Sequence, residues 1–246
     1  MTTDQRLTRI AMIPARIGST RLPMKNLALI DGEPMISYAI KAAKNSGVFD
    51  KVVVNADAPV FAKIAERYGV DFYQRPEYLG SSTTKSDDVV RDFMINNPSD
   101  ILAWVNPTSP LQRSSEVRQV VSHFDHEALD TLITVSNEQV HTNFKGHPLN
   151  YTKTGLFAQT QDLAPVQLFV YSVMMWRTAP FLETYGQQGH AFFVGKVGFF
   201  PVDKLSAIII KREEDLRLAE FVIKTMRVNQ DSPLRYDPLA KEARHG

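Results

Sequence analysis

A loop near the start of the chain combines three cations, Arg16, Arg21 and Lys25, with no acidic residue at positions 14–30. Arginine offers a planar fork of donors and lysine a point charge, and both groups bind phosphate oxygens. The loop contains neither common phosphate motif, GxGxxG or GxxxxGK followed by Ser or Thr. A solvated basic loop is the alternative. However, the loop directly follows the predicted strand Ile10–Ile13, and the end of a first strand favours a ligand site.

Short apolar runs and helical patterns alternate along the first half of the chain. Runs rich in β-branched residues predict buried strands at Ile10–Ile13, Lys51–Asn55, Ile101–Val105 and Thr131–Val135. Amphipathic patterns predict helices at Pro34–Asn45, Pro59–Tyr68, Asp87–Met94 and Ser115–Phe124. This alternation predicts an α/β fold with three layers (α/β/α), which is Rossmann-like and has a mostly parallel sheet.

Polar side chains follow several of the predicted strands. Because ligands of open α/β sheets bind at the carboxyl ends of the strands, we expect these side chains to lie around one site. They are Arg16, Asp57, Asn106, Thr108 and Ser109.

The second half of the chain departs from the alternation. Val166–Trp176 and Phe192–Val202 predict two more strands, but the polar stretch before them shows no sustained period. Residues 138–190 are interpreted as an insertion between core strands that forms a hairpin or a lid. Three aromatic residues of the insertion either form a dimer interface or pack under a long loop; they are Phe144, Tyr151 and Phe157.

The last part of the chain returns to a core-like pattern. Ala207–Ile210 is apolar, and Arg212–Thr225 predicts a closing amphipathic helix. We predict a single domain over residues 1–228, followed by a polar tail at residues 229–246.

The composition excludes several classes of protein and site. Among 246 residues, 28 are basic and 27 acidic, so no nucleic-acid or membrane partner is expected. The absence of cysteine excludes disulfides, thiolate zinc sites and a cysteine nucleophile. The six histidines show no metal-like spacing. The sequence shows no signal peptide and no apolar run that could span a bilayer, so a cytoplasmic location is expected.

Several motifs occur in an order that is typical of one enzyme family. They are residues 14–26, Gly32–Met35, Val54–Asp57, Arg75–Pro76 with Leu79 and Ser86, Pro107–Leu111 and Glu213–Glu220. With these motifs the chain resembles the acylneuraminate cytidylyltransferases, which make CMP-sialic acids, and more distantly the CMP-Kdo synthetases. The resemblance covers most of the chain apart from residues 138–165. It implies a fold of the nucleotide-diphospho-sugar transferase type and a homodimer.

The resemblance implies a reaction between CTP and an acidic sugar. The anomeric hydroxyl of a sialic-acid-like 3-deoxy-2-ulosonic acid attacks the α-phosphate of CTP, and pyrophosphate leaves. Kdo or another acidic sugar is the alternative acceptor. Because such a transfer depends on positioning and charge neutralisation, the residues that hold the phosphates are expected to be catalytic.

The resemblance also implies roles for individual residues. The expected catalytic residues are Arg16 and Lys25. The expected nucleotide-binding residues are these two with Ser19, Arg21, Asn26, Arg75 and Ser86, the last two beside the cytosine. The expected substrate-binding residues are Asn106, Thr108, Ser109 and Gln161. Alternatives are a surface turn for Arg75, a helix cap for Ser86 and a plain turn for Pro107–Pro110.

The chain departs from the family at the metal site. The family normally holds Mg²⁺ with two aspartates in an Asp-Ile-Asp run, and the corresponding positions here are Ile209 and Lys211. Three explanations are open. Lys211 replaces the charge of the metal, or another aspartate holds a displaced Mg²⁺, or the chain is a catalytically impaired homologue that binds nucleotide or sugar without turnover. The candidate aspartates are Asp57, Asp203 and Asp215.

Overall fold

The computed structural model describes residues 6–228 and contains one seven-stranded sheet. Its strands are β1 (Arg9–Ala15), β2 (Lys51–Ala56), β3 (Asp71–Gln74), β4 (Ile101–Val105), β5 (Thr131–Glu138), β6 (Val166–Arg177) and β7 (Val197–Pro201). The helices are α1 (Ile36–Ser46), α2 (Val60–Tyr68), α3 (Ser86–Asn96), α4 (Ser114–His126), α5 (Thr178–Gln188) and α6 (Glu213–Val228). The order across the sheet is β7-β5-β6-β4-β1-β2-β3.

The strand pairing confirms the mostly parallel α/β fold. β1 lies between β2 and β4 and pairs in parallel with both, so that Met12 is opposite Val53 on one side and Trp104 on the other. β6 alone among the seven strands runs antiparallel to its neighbours, β4 and β5. A parallel sheet needs helices on both faces to cover it.

Residues of β1 show how the two helical layers form. Side chains alternate between the faces of a strand. Ala11 and Ile13 therefore pack with α1, α2 and α4, whereas Ile10 and Met12 pack with α3 and α5 on the opposite face. This alternation produces the predicted three layers.

The helix α6 belongs to a smaller apolar cluster beside the sheet. Ala219 and Ile223 of α6 pack against Ile30 and Met35, together with the fully buried Ile210. The contact brings the last part of the chain against the segment that follows the basic loop. The predicted closing helix is confirmed, but it begins one residue later and ends three residues later than predicted.

Several predicted boundaries differ from the structure. The strand predicted at Phe192–Val202 is limited to Val197–Pro201, and Ala207–Ile210 forms no strand although Ile210 is buried. The edge strand β3 was not predicted, because Asp71–Gln74 carries neither an alternating nor an apolar pattern that distinguishes it from a loop.

The predicted insertion at residues 138–190 is too long. Residues 166–177 form β6, which pairs with both β4 and β5 near the centre of the sheet, and residues 178–188 form α5 against one face of the sheet. Residues 139–165, between β5 and β6, belong neither to the sheet nor to the helices that cover it; we call them the outer segment. An apolar strand cannot by itself show whether it lies inside the sheet or in an added hairpin, because pairing is set by contacts distant in sequence.

The outer segment is stabilised mainly from within. It contains a two-residue ladder between Asn143–Phe144 and His147–Pro148. The Asn150 side chain donates to the carbonyl oxygens of Val140 at 2.8 Å and Ala164 at 2.9 Å and so joins the two ends of the segment.

Residues 1–5 and the predicted polar tail at residues 229–246 lie outside the described residues. Within residues 6–228, the helices are too short or too polar for a membrane crossing.

Candidate functional site

A cleft of about 280 Å³ opens at the carboxyl ends of β1 and β4. Nine of the eleven predicted site residues line it, and they are Arg16, Ser19, Arg21, Lys25, Asn26, Arg75, Ser86, Asn106 and Thr108. They come from four separate parts of the chain. The fold brings them together because neighbouring parallel strands end at the same edge.

Two predicted residues, Ser109 and Gln161, do not line the cleft. Ser109 is 1% exposed and lies beneath the turn, where its N–H donates to the carbonyl of Asn106 at 3.2 Å. Gln161 is exposed in the outer segment, and its carbonyl accepts a hydrogen bond from the Gln139 side chain. The structure therefore places neither Ser109 nor Gln161 in the lining of the cleft.

The basic loop is held in place by three side chains. Asp57, after β2, accepts the N–H of Ile17 at 3.0 Å. The guanidinium of Arg75 donates to the carbonyl of Ala15 at 2.6 Å, and the side-chain amide of Asn26 donates to the carbonyl of Arg16 at 3.4 Å. These bonds position the start of the loop in the absence of any glycine-rich phosphate motif.

Gly80 allows the residues beyond β3 to approach this anchor closely. A Cβ atom at Gly80 would lie 2.5 Å from a carboxylate oxygen of Asp57 and would displace it. The Asp57 carboxylate is therefore fixed between the basic loop and the segment at residues 77–80.

Arg75 is a buried residue of the cleft, which excludes the surface turn considered from the sequence. It is 5% exposed, and its Nε has no hydrogen-bond partner within residues 6–228. Burial lowers the pKa of Arg75, and Asp57 opposes that effect. Because the ordinary pKa of arginine exceeds 12, the side chain stays charged at neutral pH. A bound ligand that accepts a hydrogen bond would satisfy the free Nε.

The cations of the loop lie close to one another in the cleft. Lys25 donates from Nζ to the carbonyl of Ile210 at 2.9 Å. Burial lowers the pKa of Lys25, and the positive charges of Arg21 and Arg16 lower it further. These charges repel one another in the protein without a ligand. An anion bound among them would relieve the repulsion.

Apolar side chains also line the cleft. Leu79, Val89 and Trp104 lie there with Ser86, the first residue of α3. The Nε1–H of Trp104 is buried and has no acceptor within the described part of the chain. The cleft therefore combines cationic, apolar and hydrogen-bonding groups, as a nucleotide requires.

Trp104 is a cleft residue that the sequence analysis missed. Its strand was interpreted only as buried core. Side chains alternate between the two faces of a strand, so Trp104 lies on the same side of the sheet as Asn106. This alternation could have identified Trp104 as a cleft residue. Four hydroxyl-bearing residues were missed as well, and they are Thr20, Ser81, Ser82 and Thr84.

Asn106 has a structural contact within the turn that follows β4. Its Oδ1 accepts the N–H of Thr108 at 3.1 Å and the hydroxyl of the same residue at 2.9 Å. The turn at Pro107–Pro110 is therefore organised by Asn106, whose backbone N–H also donates to the carbonyl of Ser172 on β6 at 2.8 Å.

The residues present do not fit a carboxylate-held Mg²⁺. Within residues 6–228 no group of three His, Cys, Asp or Glu side chains could hold a metal ion. Asp215 accepts the N–H groups of Lys211 and Arg212, both at 2.8 Å. Asp203 accepts two backbone N–H groups and pairs with Arg113. Asp57 anchors the basic loop, so all three candidate aspartates have structural partners.

Comparison with known proteins agrees with this geometry. A family model described as cytidylyltransferase matches residues 10–227. An N-acylneuraminate cytidylyltransferase of Streptococcus agalactiae serotype III is 30% identical over 168 residues, which are 64% of this chain and 40% of that protein. The chain thus spans less than half the length of that curated relative.

A second curated relative matches over nearly its whole length. The post-translational flagellin modification protein B of Campylobacter coli is 27% identical over 227 residues, 87% of this chain and 94% of that protein. A solved structure of CMP:2-keto-3-deoxy-manno-octonic acid synthetase in complex with CTP has a TM-score of 0.69 and 17% identity. It covers 89% of this chain and 99% of the solved chain, and it shows the similarity of the fold.

Proposed function

We propose, because this chain belongs to the cytidylyltransferase family, that it transfers CMP from CTP to a sialic-acid-like 3-deoxy-2-ulosonic acid and releases pyrophosphate. The single observation that carries the proposal is the cleft, which combines Arg16, Arg21 and Lys25 with apolar and hydrogen-bonding groups. The S. agalactiae relative, named as an N-acylneuraminate cytidylyltransferase, supports a sialic acid as the acceptor.

In the proposed reaction the anomeric hydroxyl oxygen forms a bond to the α-phosphorus of CTP. The bond between that phosphorus and the oxygen bridging to the β-phosphorus breaks, so that pyrophosphate leaves and the hydroxyl proton is released. Arg16 and Lys25 neutralise the charge on the phosphate oxygens as the leaving group departs. Prepositioned cations of this kind stabilise the transition state without rearrangement.

The other cleft residues position the nucleotide in this proposal. Ser19, Arg21 and Asn26 contact the phosphates or ribose, and Arg75 and Ser86 contact the cytosine. Asn26 has a buried Oδ1 with no partner among the described residues, so it can accept a hydrogen bond from a ligand. Asn106 and Thr108 lie at the side of the cleft next to β6 and are proposed to contact the acceptor sugar.

The outer segment is proposed to take part in a homodimer. Leu156 is 97% exposed and Phe157 78%, and such apolar exposure is typical of surfaces that bind a partner. Sedimentation velocity tests this proposal: Phe157→Ser is expected to shift a dimer towards monomer. A monomeric wild-type protein would refute it. The cytoplasmic location stays a prediction from the sequence.

Pyrophosphate release tests the proposed reaction. Purified protein is mixed with CTP and, in turn, with N-acetylneuraminic acid, other nonulosonic acids and Kdo, with and without Mg²⁺. Release with a nonulosonic acid supports the proposal. Release with Kdo alone would show that Kdo, and not a sialic acid, is the acceptor. CTP binding without release for any acceptor would instead support the catalytically impaired homologue.

A further inference from the structure

The segment at residues 207–212 is held against the cleft by the backbone of one residue. The N–H of Ile210 donates to the carbonyl of Thr108 at 2.8 Å, and its carbonyl accepts from Nζ of Lys25 at 2.9 Å. Both partners line the cleft. The Ile210 side chain is fully buried as well. The backbone of the next residue is therefore fixed close to Lys25 and Thr108.

That next residue is Lys211, whose side chain is exposed. It lies near enough to Lys25 that its positive charge contributes to the lowered pKa of Lys25. Lys211 therefore adds a fourth positive charge near Lys25, Arg16 and Arg21. Positive charges held close together repel one another. A bound polyanion would be attracted to all of them and would offset this repulsion.

Asp215 lies beside Lys211 and its negative charge raises the pKa of Lys25, but within residues 6–228 its carboxylate accepts backbone N–H groups and forms no ion pair with the Lys211 ammonium group. Asp215 uses one oxygen to accept the N–H groups of Lys211 and Arg212 at the start of α6. Burial acts to raise the pKa of Asp215, but these two N–H groups and the neighbouring cations lower it overall. Asp215 thus fixes the backbone of Lys211 while the ammonium group remains free to bind an anion in solvent.

We propose that Lys211 is a phosphate-binding residue that supplies positive charge to the β- and γ-phosphates of CTP, so that tight nucleotide binding needs no carboxylate-held metal. The inference rests on the proposed function, since it takes CTP as the ligand. Its basis is the disagreement between the family's Mg²⁺ site and the residues present, where a lysine replaces a carboxylate and the remaining aspartates have structural partners.

Lys211 is expected to distinguish CTP from CMP. CMP lacks the β- and γ-phosphates, and the energy of a charge pair falls with distance. Loss of a charge-assisted hydrogen bond at an exposed site should weaken CTP binding about tenfold, at the lower end of the range for such bonds. The affinity for CMP should change less than about threefold, because Lys211 would form no hydrogen bond with the α-phosphate and the remaining attraction acts through water.

Isothermal titration calorimetry with CTP and CMP, in Mg²⁺ and in EDTA, tests the proposal. Four proteins are compared: the wild type, Lys211→Ala, Lys211→Asp and the control Lys204→Ala, which removes an exposed lysine of the same connection. We expect wild-type affinity for CTP to change less than about threefold on chelation. Lys211→Ala should lose CTP affinity selectively. Lys211→Asp should bind CTP weakly in EDTA and recover part of that affinity in Mg²⁺.

Two results would overturn this inference alone. One is a wild-type affinity for CTP that falls more than about tenfold in EDTA; the other is a Lys211→Ala protein that binds CTP like Lys204→Ala. Wild-type protein that binds CTP in neither buffer would overturn the proposed function and this inference with it. Equal thermal unfolding midpoints for the four proteins would show that the variants are folded.

Discussion

The cleft and the outer segment are stabilised by different kinds of contact. In the cleft, hydrogen bonds join residues far apart in sequence, such as Arg75 to Ala15 and Lys25 to Ile210. In the outer segment, Asn150 bonds to Val140 and Ala164, within the same stretch of chain. The comparison suggests that nucleotide binding depends on the whole fold, whereas the outer segment can change with little effect on the cleft.

The largest effect is expected in the cleft, from the removal of Lys25, which lies close to Arg16 and Arg21. Lys25→Ala is expected to lower the rate of pyrophosphate release about 100-fold, because it removes a prepositioned charge from the transferring phosphates. The exposed Lys63 on α2 provides the control, and Lys63→Ala should retain the wild-type rate. A Lys25→Ala enzyme with full activity would exclude the basic loop from the mechanism.

Arg75 tests whether ligand binding and folding are coupled in the cleft. Arg75→Ala leaves the carbonyl of Ala15 without its buried donor, so we expect a loss of about 1–3 kcal/mol in the free energy of unfolding together with weaker CTP binding. Urea denaturation and calorimetry measure the two quantities. Arg67→Ala, at an exposed position of α2, should change neither. If Arg75→Ala bound CTP more weakly but kept the wild-type free energy of unfolding, CTP binding and folding would not be coupled through Arg75.

The pH dependence of CTP binding should report on Lys25. Burial and the neighbouring arginines lower the pKa of Lys25 below 10.5 in the free protein, and bound phosphate should raise it again. Affinity should therefore be greatest below the free-protein pKa and fall as the pH rises through it. Because Lys25→Arg stays charged, that variant should show a smaller decline. An identical pH profile for the variant would assign the decline to another group.

The same shift of the Lys25 pKa has an opposite effect on stability. The unfolded chain holds this proton more tightly than the folded protein, so the contribution of Lys25 to the free energy of unfolding is unfavourable at neutral pH. It becomes less unfavourable as the pH rises from the folded-state pKa towards 10.5. The pH therefore moves binding and stability in opposite directions through this residue.

The smallest effect is expected in the outer segment. Asn150→Ala removes hydrogen bonds to Val140 and Ala164, so limited proteolysis should cut residues 139–165 faster. CTP affinity should stay within about twofold of wild type, as expected for sites without shared contacts. Thr154→Ala, at an exposed position of the same segment, should leave the cleavage rate unchanged. A large loss of CTP affinity in Asn150→Ala would show that the two regions are coupled.

The sequence predicted the parts of the fold that depend on local patterns. β1, β2, β4 and β5 were recognised from apolar runs, and α2 was predicted to end at Gly69, which adopts the left-handed conformation with φ 62°. β3 was missed and the insertion was predicted too long. Both errors concern strands whose identity depends on their neighbours in the sheet.

The site was predictable to a similar degree. The basic loop and Arg75 were found because charge and family motifs mark them in the sequence, and they line the cleft. Trp104 was missed because an aromatic residue in an apolar strand is usually core. Gln161 was assigned by a weak match in the outer segment, and it lies away from the cleft.

The sequence by itself determined the alternation of strands and helices, the basic loop, the family and the loss of the two metal-binding aspartates. Only the tertiary structure decided that β6 runs antiparallel between β4 and β5 and that the carbonyl of Ile210 accepts a hydrogen bond from Lys25. Helix and strand periodicity is encoded over a few neighbouring residues. Strand order and the pairing of Lys25 with a residue 185 positions away depend on the packing of the whole chain.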